Sequence, residues 1–332
     1  MKYKIKKISG DASSREFYRV YKNFNSSILV VAKKEKYKNL IVYSLVNKIL
    51  NKNKVLAPRL INNFNISSII EISDLGNNTF FNFIKNKKNK FKYYKKLIDL
   101  IIVIQKIKLN TDYSYKGYKI KFQKYNSKNL HRESDLFFEW YLKPLVSNKK
   151  FNIFKDRIRK ELDNLYKQLY FKNKFFTHRD FHASNIMISK KKLGLIDNQD
   201  AIIGNPLYDV ASLIDDVRIK ISKIDQNKLF KYYILKSKIL NNEKKYIKND
   251  YDILSVQRNF KILGIFVRLF KRDNKPGYLK YIKNTWRLID MRTQNPIFKN
   301  LNIVMKKNLS LKKIKKAKFI WKLKRVWSLL LV

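Results

Sequence analysis

His178-Arg179-Asp180, followed by Asn185 and then by Asp197, assembles the groups that phosphoryl transfer to a hydroxyl needs. One carboxylate takes the hydroxyl proton, while a carboxamide oxygen and a second carboxylate hold magnesium against the phosphates. The run Phe175-Phe176-Thr177 reads as a strand that delivers His178 to Asp180. Ile186-Met187-Ile188 and Leu193 to Ile196 read as the arms of a hairpin around a lysine turn, and the second arm delivers Asp197. The order is strand end, carboxylate, carboxamide, hairpin, carboxylate.

Charge singles out the same stretch. The chain has 75 Lys+Arg against 25 Asp+Glu, yet Leu193 to Asp216 holds Asp197, Asp200, Asp209, Asp215 and Asp216 with no basic residue. Bunched carboxylates repel unless a cation or directed hydrogen bonds offset their charge, so the cluster suggests a metal site. An acidic loop running into a solvated helix start is the plainer alternative, and the spacing of Asp180 and Asn185 weighs against it. His178 and His182 have the spacing of a zinc pair, but that pattern needs a helix and a third ligand, and this segment follows an apolar strand. His178 is read as holding the loop, and His182 as structural or near substrate.

With 332 residues, 45% hydrophobic and 14% aromatic, the chain can bury a large core, and two lobes or domains are expected. It has no cysteine, hence neither a disulfide framework nor a thiolate metal site. MKYKIKKISGDASS lacks the apolar centre of a secretory signal. The longest apolar run, around Leu97 to Ile107, is interrupted by Asp99, Gln105 and Lys106 and is too short for a bilayer. A cytoplasmic protein is expected. The net charge of +50 would ordinarily point to nucleic acid. Here the lysines are dispersed, no nucleic-acid motif accompanies them, and the scarcity of Gly, Pro and Ala beside abundant Lys, Asn and Ile looks like a genome-wide A+T bias. No dedicated nucleic-acid partner is expected, only RNA affinity at low salt.

The elements that must position these groups begin with a hairpin, Tyr3 to Ile8 and Glu16 to Tyr21, whose small-residue tip lets backbone N–H groups approach phosphates. A third strand, Ser26 to Ala32, leads to Lys33 and Lys34, where a kinase places the cation for the α- and β-phosphates. Asn39 to Leu50 is an amphipathic helix with an apolar stripe at 41, 42, 45, 46, 49 and 50, and it carries no acid to pair with such a lysine. Two further strands, Arg59 to Phe64 and Ser68 to Ile72, end the strand-rich part. Glu71 to Ser73 offers backbone groups to an adenine edge, or is a plain linker. From Thr79 onward the chain reads as mostly helical, with helices over Phe91 to Lys108, Glu133 to Val146, Phe154 to Tyr170, 226–240, 250–271 and 277–291. Asn205 caps, and Pro206 starts, a helix with Asp209 in its first turn. Gly10, Gly76, Gly194 and Gly204 are read as turns bordering the site. The tail, Leu301 to Val332, is basic, with Phe319, Leu323, Val326, Trp327 and Leu330 on one helical face. A last helix docked on the protein is favoured there over a membrane-surface helix.

His178-Arg179-Asp180-Phe181-His182 with Asn185, and Asp197-Asn198-Gln199-Asp200, resemble the aminoglycoside phosphotransferase and choline kinase-like family. Gly10 to Arg15, Tyr208 to Leu213 with Asp216 and Arg218, Gln257 to Phe266 and Lys275 to Leu279 are similar to its cell-wall amino-sugar kinases, which phosphorylate the anomeric hydroxyl of N-acetylmuramate and N-acetylglucosamine. The resemblance implies an α+β, bilobal protein-kinase-like fold. Residues 1–75 would form a small β-rich N-lobe with the nucleotide clamp, 76–300 a large helical C-lobe with the acceptor site, and 301–332 a basic tail. It implies Asp180 as catalytic base, Asn185 and Asp197 as Mg2+ ligands, and Asp209, with His178 and Arg179, as support of the catalytic loop. Ser13, Ser14 and Arg15 would lie over the ATP phosphates, beside Lys33, Lys34, Glu71 and Ser73. His182, Gln199, Asp200, Asp216, Arg218 and Arg258 would face the acceptor, an amino sugar. Functional coupling to a sugar-1-phosphate nucleotidyltransferase is implied as well. The sequence departs from the family in Asn198, where an aromatic is usual, and in the missing acid partner of a third-strand lysine. Two other readings stand beside this one: a phosphotransferase for another acceptor, such as an aminoglycoside or a choline-like metabolite, and a non-catalytic kinase-like nucleotide-binding protein.

Overall fold

The computed structural model describes residues 3–8, 15–23, 25–32, 37–64, 68–237 and 244–308. Its contacts gather the chain into two compact units. The first comprises Met1–Lys124, Lys174–Ile214 and Ile221–Ser237, and the second Tyr125–Asn173, Asp215–Lys220 and Lys238–Val332.

The first unit is built on five antiparallel strands, β1 (Tyr3–Ile8), β2 (Glu16–Lys22), β3 (Asn25–Val31), β4 (Leu60–Phe64) and β5 (Ile69–Ser73), in the order β1-β2-β3-β5-β4. Alternation decides which face is buried. Ile28 and Val30 of β3 and Ile70 and Ile72 of β5 turn inward onto Leu40 and Tyr43 of helix α1 (Lys38–Lys52). The buried face of α1 is broader than the expected stripe, because Tyr43, Ser44 and Asn47 are buried with it.

Helices α2 (Phe80–Ile84) and α3 (Phe91–Gln105) follow. The next segment is a hairpin, β6 (Asp112–Tyr115) and β7 (Tyr118–Lys121), where the sequence reading expected mostly helix. Its two-residue turn, Lys116-Gly117, has φ of 50° and 78°, the left-handed pair whose twist suits a tight hairpin. Both strands alternate polar and apolar residues, but each is only four residues long.

Two small sheets complete this unit. Strand β8 (Phe175–Thr177) pairs with β11 (Ile202–Gly204), and β9 (Ile186–Ser189) pairs with β10 (Lys192–Leu195). Helix α6 (Leu207–Ile214) begins behind Asn205, whose side-chain oxygen accepts from the Leu207 N–H at 3.0 Å. Helix α7 (Lys223–Ser237) lies against α3, and the contact is tied by buried polar groups. Gln105 Nε2 donates to the Pro206 carbonyl at 2.6 Å, and Tyr233 donates to Gln105 Oε1 at 2.9 Å.

The second unit is helical. Helix α4 (Ser127–Leu136) is capped by Asn126, whose side chain accepts from the Asn129 N–H. It loosens into a π-turn over Phe137–Leu142 and a 3-10 turn at Lys143–Leu145, where Pro144 stops it. The single helix expected over Glu133 to Val146 is therefore three successive forms. Helices α5 (Asn148–Lys167), α8 (Lys244–Lys271), α9 (Ile282–Arg292) and α10 (Lys299–Asn308) complete the unit. Phe137, Tyr141, Phe260 and Trp286 form its aromatic centre, and the Trp286 indole donates to the Tyr141 hydroxyl at 2.9 Å. Gly264 lets α8 touch α4 backbone to backbone, since a Cβ there would lie 2.2 Å from the Leu136 carbonyl oxygen. Among the described residues no helix is long and apolar enough to cross a membrane. The apolar face expected at Phe319 to Leu330 lies outside the described residues.

Candidate active site

The site grows from β8. After Thr177 the chain turns through Arg179, at φ 73°, a left-handed conformation that bulky side chains rarely adopt. Asp209 holds this turn from α6, its carboxylate accepting from the His178 N–H at 2.7 Å and the Arg179 N–H at 3.0 Å. The His178 ring spans the loop. Nε2 faces the Ile196 carbonyl at 3.1 Å and Nδ1 faces the Asp180 N–H at 3.3 Å, so the neutral tautomer protonated on Nε2 satisfies both contacts. Burial pushes the Asp209 carboxyl up to about 6, although the backbone N–H bonds from His178 and Arg179 pull the other way.

The β9–β10 hairpin is fixed by its surroundings. The Ile188 N–H donates to the Asn78 carbonyl at 2.7 Å, and the Leu195 N–H to the Leu56 carbonyl at 2.8 Å. Gly194 and Gly204 prove to be strand residues rather than turns. At Gly204 a Cβ would stand 2.5 Å from Thr177 Oγ1, so close approach of β11 to β8 is what requires glycine.

Asn185, in the 3-10 turn before β9, commits its amide nitrogen to the Asp180 carbonyl at 3.0 Å. The same nitrogen lies 3.5 Å from Asp197 Oδ2, across the hairpin. Asp197 itself is left-handed, at φ 63°. Burial raises its carboxyl above the usual value, and the charge of Asp180 adds to that, against the Gln199 hydrogen bond and the charge of Arg15. The carboxamide oxygen of Asn185 and the carboxylate of Asp197 are hard donors, few in number, of the kind magnesium takes when phosphates supply the rest. Asp197 is a carboxylate whose charge the protein leaves incompletely offset. The residues present fit the ion.

The five-aspartate cluster does not form a metal cage. Each carboxylate has its own neighbours: Gln199 for Asp197, Arg179 for Asp200, loop N–H groups for Asp209, Arg292 and Ser255 for Asp215, and Arg218 for Asp216. Among the described residues no group of three or more His, Asp or Glu is arranged to hold a metal. The shared charge pattern comes from separate tasks along the chain. His182 is buried, with Nε2 3.5 Å from the Asn185 amide nitrogen.

Other expected site residues lie as follows. Ser13, Ser14, Lys33 and Lys34 fall outside the described residues. Arg15 is buried at the start of β2, stacked over the Tyr43 ring at 5.7 Å, with its guanidinium donating to Gln199 Oε1 at 3.0 Å. Gln199, expected at the acceptor, joins Arg15 to Asp197. Glu71 is taken up within the sheet by Ser27 and Asn62, and Ser73 by the backbone of Arg59. That leaves the following segment, not β5, as the exposed end. Arg19 of β2 secures that segment, binding Asp74 and the Gly76 carbonyl, with Asn77 as a further partner. Burial alone would raise the Asp74 carboxyl, but hydrogen bonds from Gly76, Ser26 and Arg19 hold it below its ordinary value. Asp216, Arg218 and Arg258 belong to the second unit and are largely buried there.

The sequence marked Asn198 only as a departure from the family, and it did not mark Tyr43 at all. Asn198 is fully buried, and its amide donates to Asn47 Oδ1 of α1 at 2.7 Å and to the Leu195 carbonyl at 3.0 Å. One turn earlier on α1, Tyr43 is buried beneath Arg15, and that burial pushes its phenol up to about 12. A buried Asn at the edge of an apolar helical face was the available signal.

Comparison with known proteins bears on this geometry. Residues 4–234 match the model of the Phosphotransferase enzyme family. The chain is 25% identical over 286 residues to the N-acetylmuramate/N-acetylglucosamine kinase of Pseudomonas aeruginosa, covering 85% of this chain and 81% of that protein. It is 25% identical over 295 residues to the kinase of the same name from Neisseria meningitidis serogroup B, covering 84% of each. Among solved structures, it resembles a Plasmodium vivax ethanolamine kinase, with a TM-score of 0.61 and 14% identity over 90% of this chain and 84% of that one. The ADP-bound aminoglycoside phosphotransferase APH(2'')-Ib gives a TM-score of 0.58 and 14% identity over 86% and 92%. These neighbours show the protein-kinase-like fold, α+β in class. With a loop aspartate, an asparagine and a hairpin aspartate gathered at the end of β8, the chain belongs to the Phosphotransferase enzyme family and is a kinase that uses an alcohol group as acceptor.

Proposed function

We propose that the protein transfers the terminal phosphoryl group of ATP to the anomeric hydroxyl of N-acetylmuramate or N-acetylglucosamine, a step in recycling cell-wall amino sugars. The observation that carries this reading is the match to amino-sugar kinases along more than four fifths of the chain, joined to the intact set Asp180, Asn185 and Asp197.

Asp180 accepts the proton of the attacking hydroxyl as its oxygen bonds to the γ-phosphorus and the bond to ADP breaks. Asp209 and His178 hold the loop so that the Asp180 carboxylate does not have to be oriented during reaction. Asn185 and Asp197 would hold Mg2+, which supplies positive charge to the phosphoryl oxygens. Arg15, braced on Tyr43 and Gln199, offers its guanidinium to the nucleotide phosphates, the task for which α1 provides no lysine–acid pair.

An acceptor screen with ATP, reading products by mass, tests the proposal. N-acetylmuramate and N-acetylglucosamine are expected to gain one phosphoryl group at the anomeric oxygen. Phosphorylation of kanamycin, choline or ethanolamine in preference to both sugars would reassign the acceptor. ATP binding without transfer to any alcohol would overturn the enzyme assignment.

A further inference from the structure

Gln199 stands between two groups of opposite charge. Its Oε1 accepts from Arg15 at 3.0 Å, and its Nε2 donates to Asp197 Oδ1 at 2.9 Å and to Asp200 Oδ2 at 3.2 Å. A guanidinium facing a carboxylate ordinarily closes into a two-pronged ion pair that uses both carboxylate oxygens. Here a neutral carboxamide is interposed, an acceptor toward the arginine and a donor toward the aspartate. A carboxamide accepts through its oxygen and donates through its nitrogen, so one glutamine side chain serves both neighbours without carrying a charge.

The frame around Gln199 is rigid. Asp197 is fixed in the left-handed region, and Asn198, next in the chain, is anchored to Asn47 and Leu195. Arg15 is buried against Tyr43. With both ends constrained, the glutamine amide sets which way the Asp197 carboxylate turns. Oδ1 is taken by Gln199, while Oδ2 lies on the Asn185 side.

We propose that Gln199 is a positioning residue: it keeps Arg15 off Asp197, which preserves the Asp197 carboxylate for the metal ion and the Arg15 guanidinium for phosphate. The inference rests on the kinase reading given above. When the amide is removed, Arg15 collapses onto Asp197 and competes with the cation there.

The test uses the full chain saturated with ADP, whose phosphates supply the ion's remaining ligands, and follows Mn2+ binding by the change in its electron paramagnetic resonance signal beyond that of Mn2+ with ADP alone. Gln199→Met keeps the side-chain length and deletes both hydrogen bonds, and Gln199→Ala serves if the longer side chain does not fold. Either variant is expected to bind Mn2+ about tenfold more weakly than wild type, because a metal site loses about that much when a neighbouring partner of its ligand is removed. Adding Arg15→Ala to the Gln199 variant is expected to bring Mn2+ affinity most of the way back, since the competing cation is gone, while ADP binding stays weak. A structural defect would not be repaired by a second deletion. Unchanged Mn2+ affinity in the Gln199 variant, or a double variant no better than the single one, overturns the inference even if wild type phosphorylates an amino sugar. Mn2+ binding that follows the expected pattern in a protein that phosphorylates no alcohol would overturn the kinase reading alone. A wild type that binds no Mn2+ overturns both.

Discussion

Asp209→Asn separates the two things this residue does. The substitution keeps the shape of the side chain but replaces one carboxylate oxygen by an NH2 group. Of the two donors that Asp209 receives, His178 N–H at 2.7 Å and Arg179 N–H at 3.0 Å, one then meets another donor. Losing that bond and leaving a buried N–H unpaired costs about 3 kcal/mol. The compensation depends on pH. Burial raises the Asp209 carboxyl from 3.8 to about 6, so the folded protein holds the proton more tightly than the unfolded chain. Such a group imposes no penalty below the unfolded value, a growing one as pH rises toward the folded value, and a constant one above it. The penalty on wild type is about 1 kcal/mol at pH 4.5 and about 3 kcal/mol at pH 7.5, and the asparagine variant escapes it. Wild type should therefore lead the variant by about 2 kcal/mol at pH 4.5, with the gap closing by about 2 kcal/mol at pH 7.5. Urea unfolding followed by far-UV circular dichroism at the two pH values measures the difference. A gap that stays constant or widens with pH would refute the placing of a strained charge at Asp209. Turnover should fall at both pH values, because the loop carrying Asp180 has lost a brace.

Asp180→Asn should lower kcat by about a thousandfold while leaving ATP affinity within a fewfold of wild type by calorimetry; a rate near wild type would exclude Asp180 as the base. Asn198→Ala strands the acceptors on Asn47 and Leu195 and should cost about 2–4 kcal/mol in urea unfolding. Adding Asn47→Ala should then cost much less than it does alone, a coupling that a double-mutant cycle reads directly. Gly204→Ala places a methyl group 2.5 Å from Thr177 Oγ1 and should destabilise by about 2 kcal/mol, seen as a lower melting temperature.

Much of this architecture was legible because its signals are local. The strands β2, β3 and β5 show apolar runs at strand length, and the hairpin that carries Asp197 announces itself by its lysine turn. The β6–β7 hairpin was legible, with Tyr113, Tyr115, Tyr118 and Ile120 alternating with polar residues around the Lys116-Gly117 turn, but its four-residue strands are short beside the long helical patterns that flank them. The extent of α4 was misjudged because Asn126 caps it earlier, while Pro144 ends a π-turn instead of an α-helix. The aspartates after Leu193 read as one cluster because sequence distance is short there. In the fold they disperse, and Asp215 finds Arg292 at 2.7 Å, from far along the chain. The Arg15–Gln199 contact spans 184 residues, so no pattern within a window could have shown it. The motif spacing marked the residues around Asp180, and only tertiary structure revealed what orients them.

Asn198 carries a consequence of another kind. A phenyl ring at that position would be held by packing alone and could leave its pocket at the cost of exposed apolar surface. The carboxamide is fully buried and held by two directional bonds, one of them to the helix that also supports Arg15. Turn and helix thus form one piece, and swinging the aspartate out would strip donors and acceptors together. Moving the Asp197 turn therefore requires α1 to move with it.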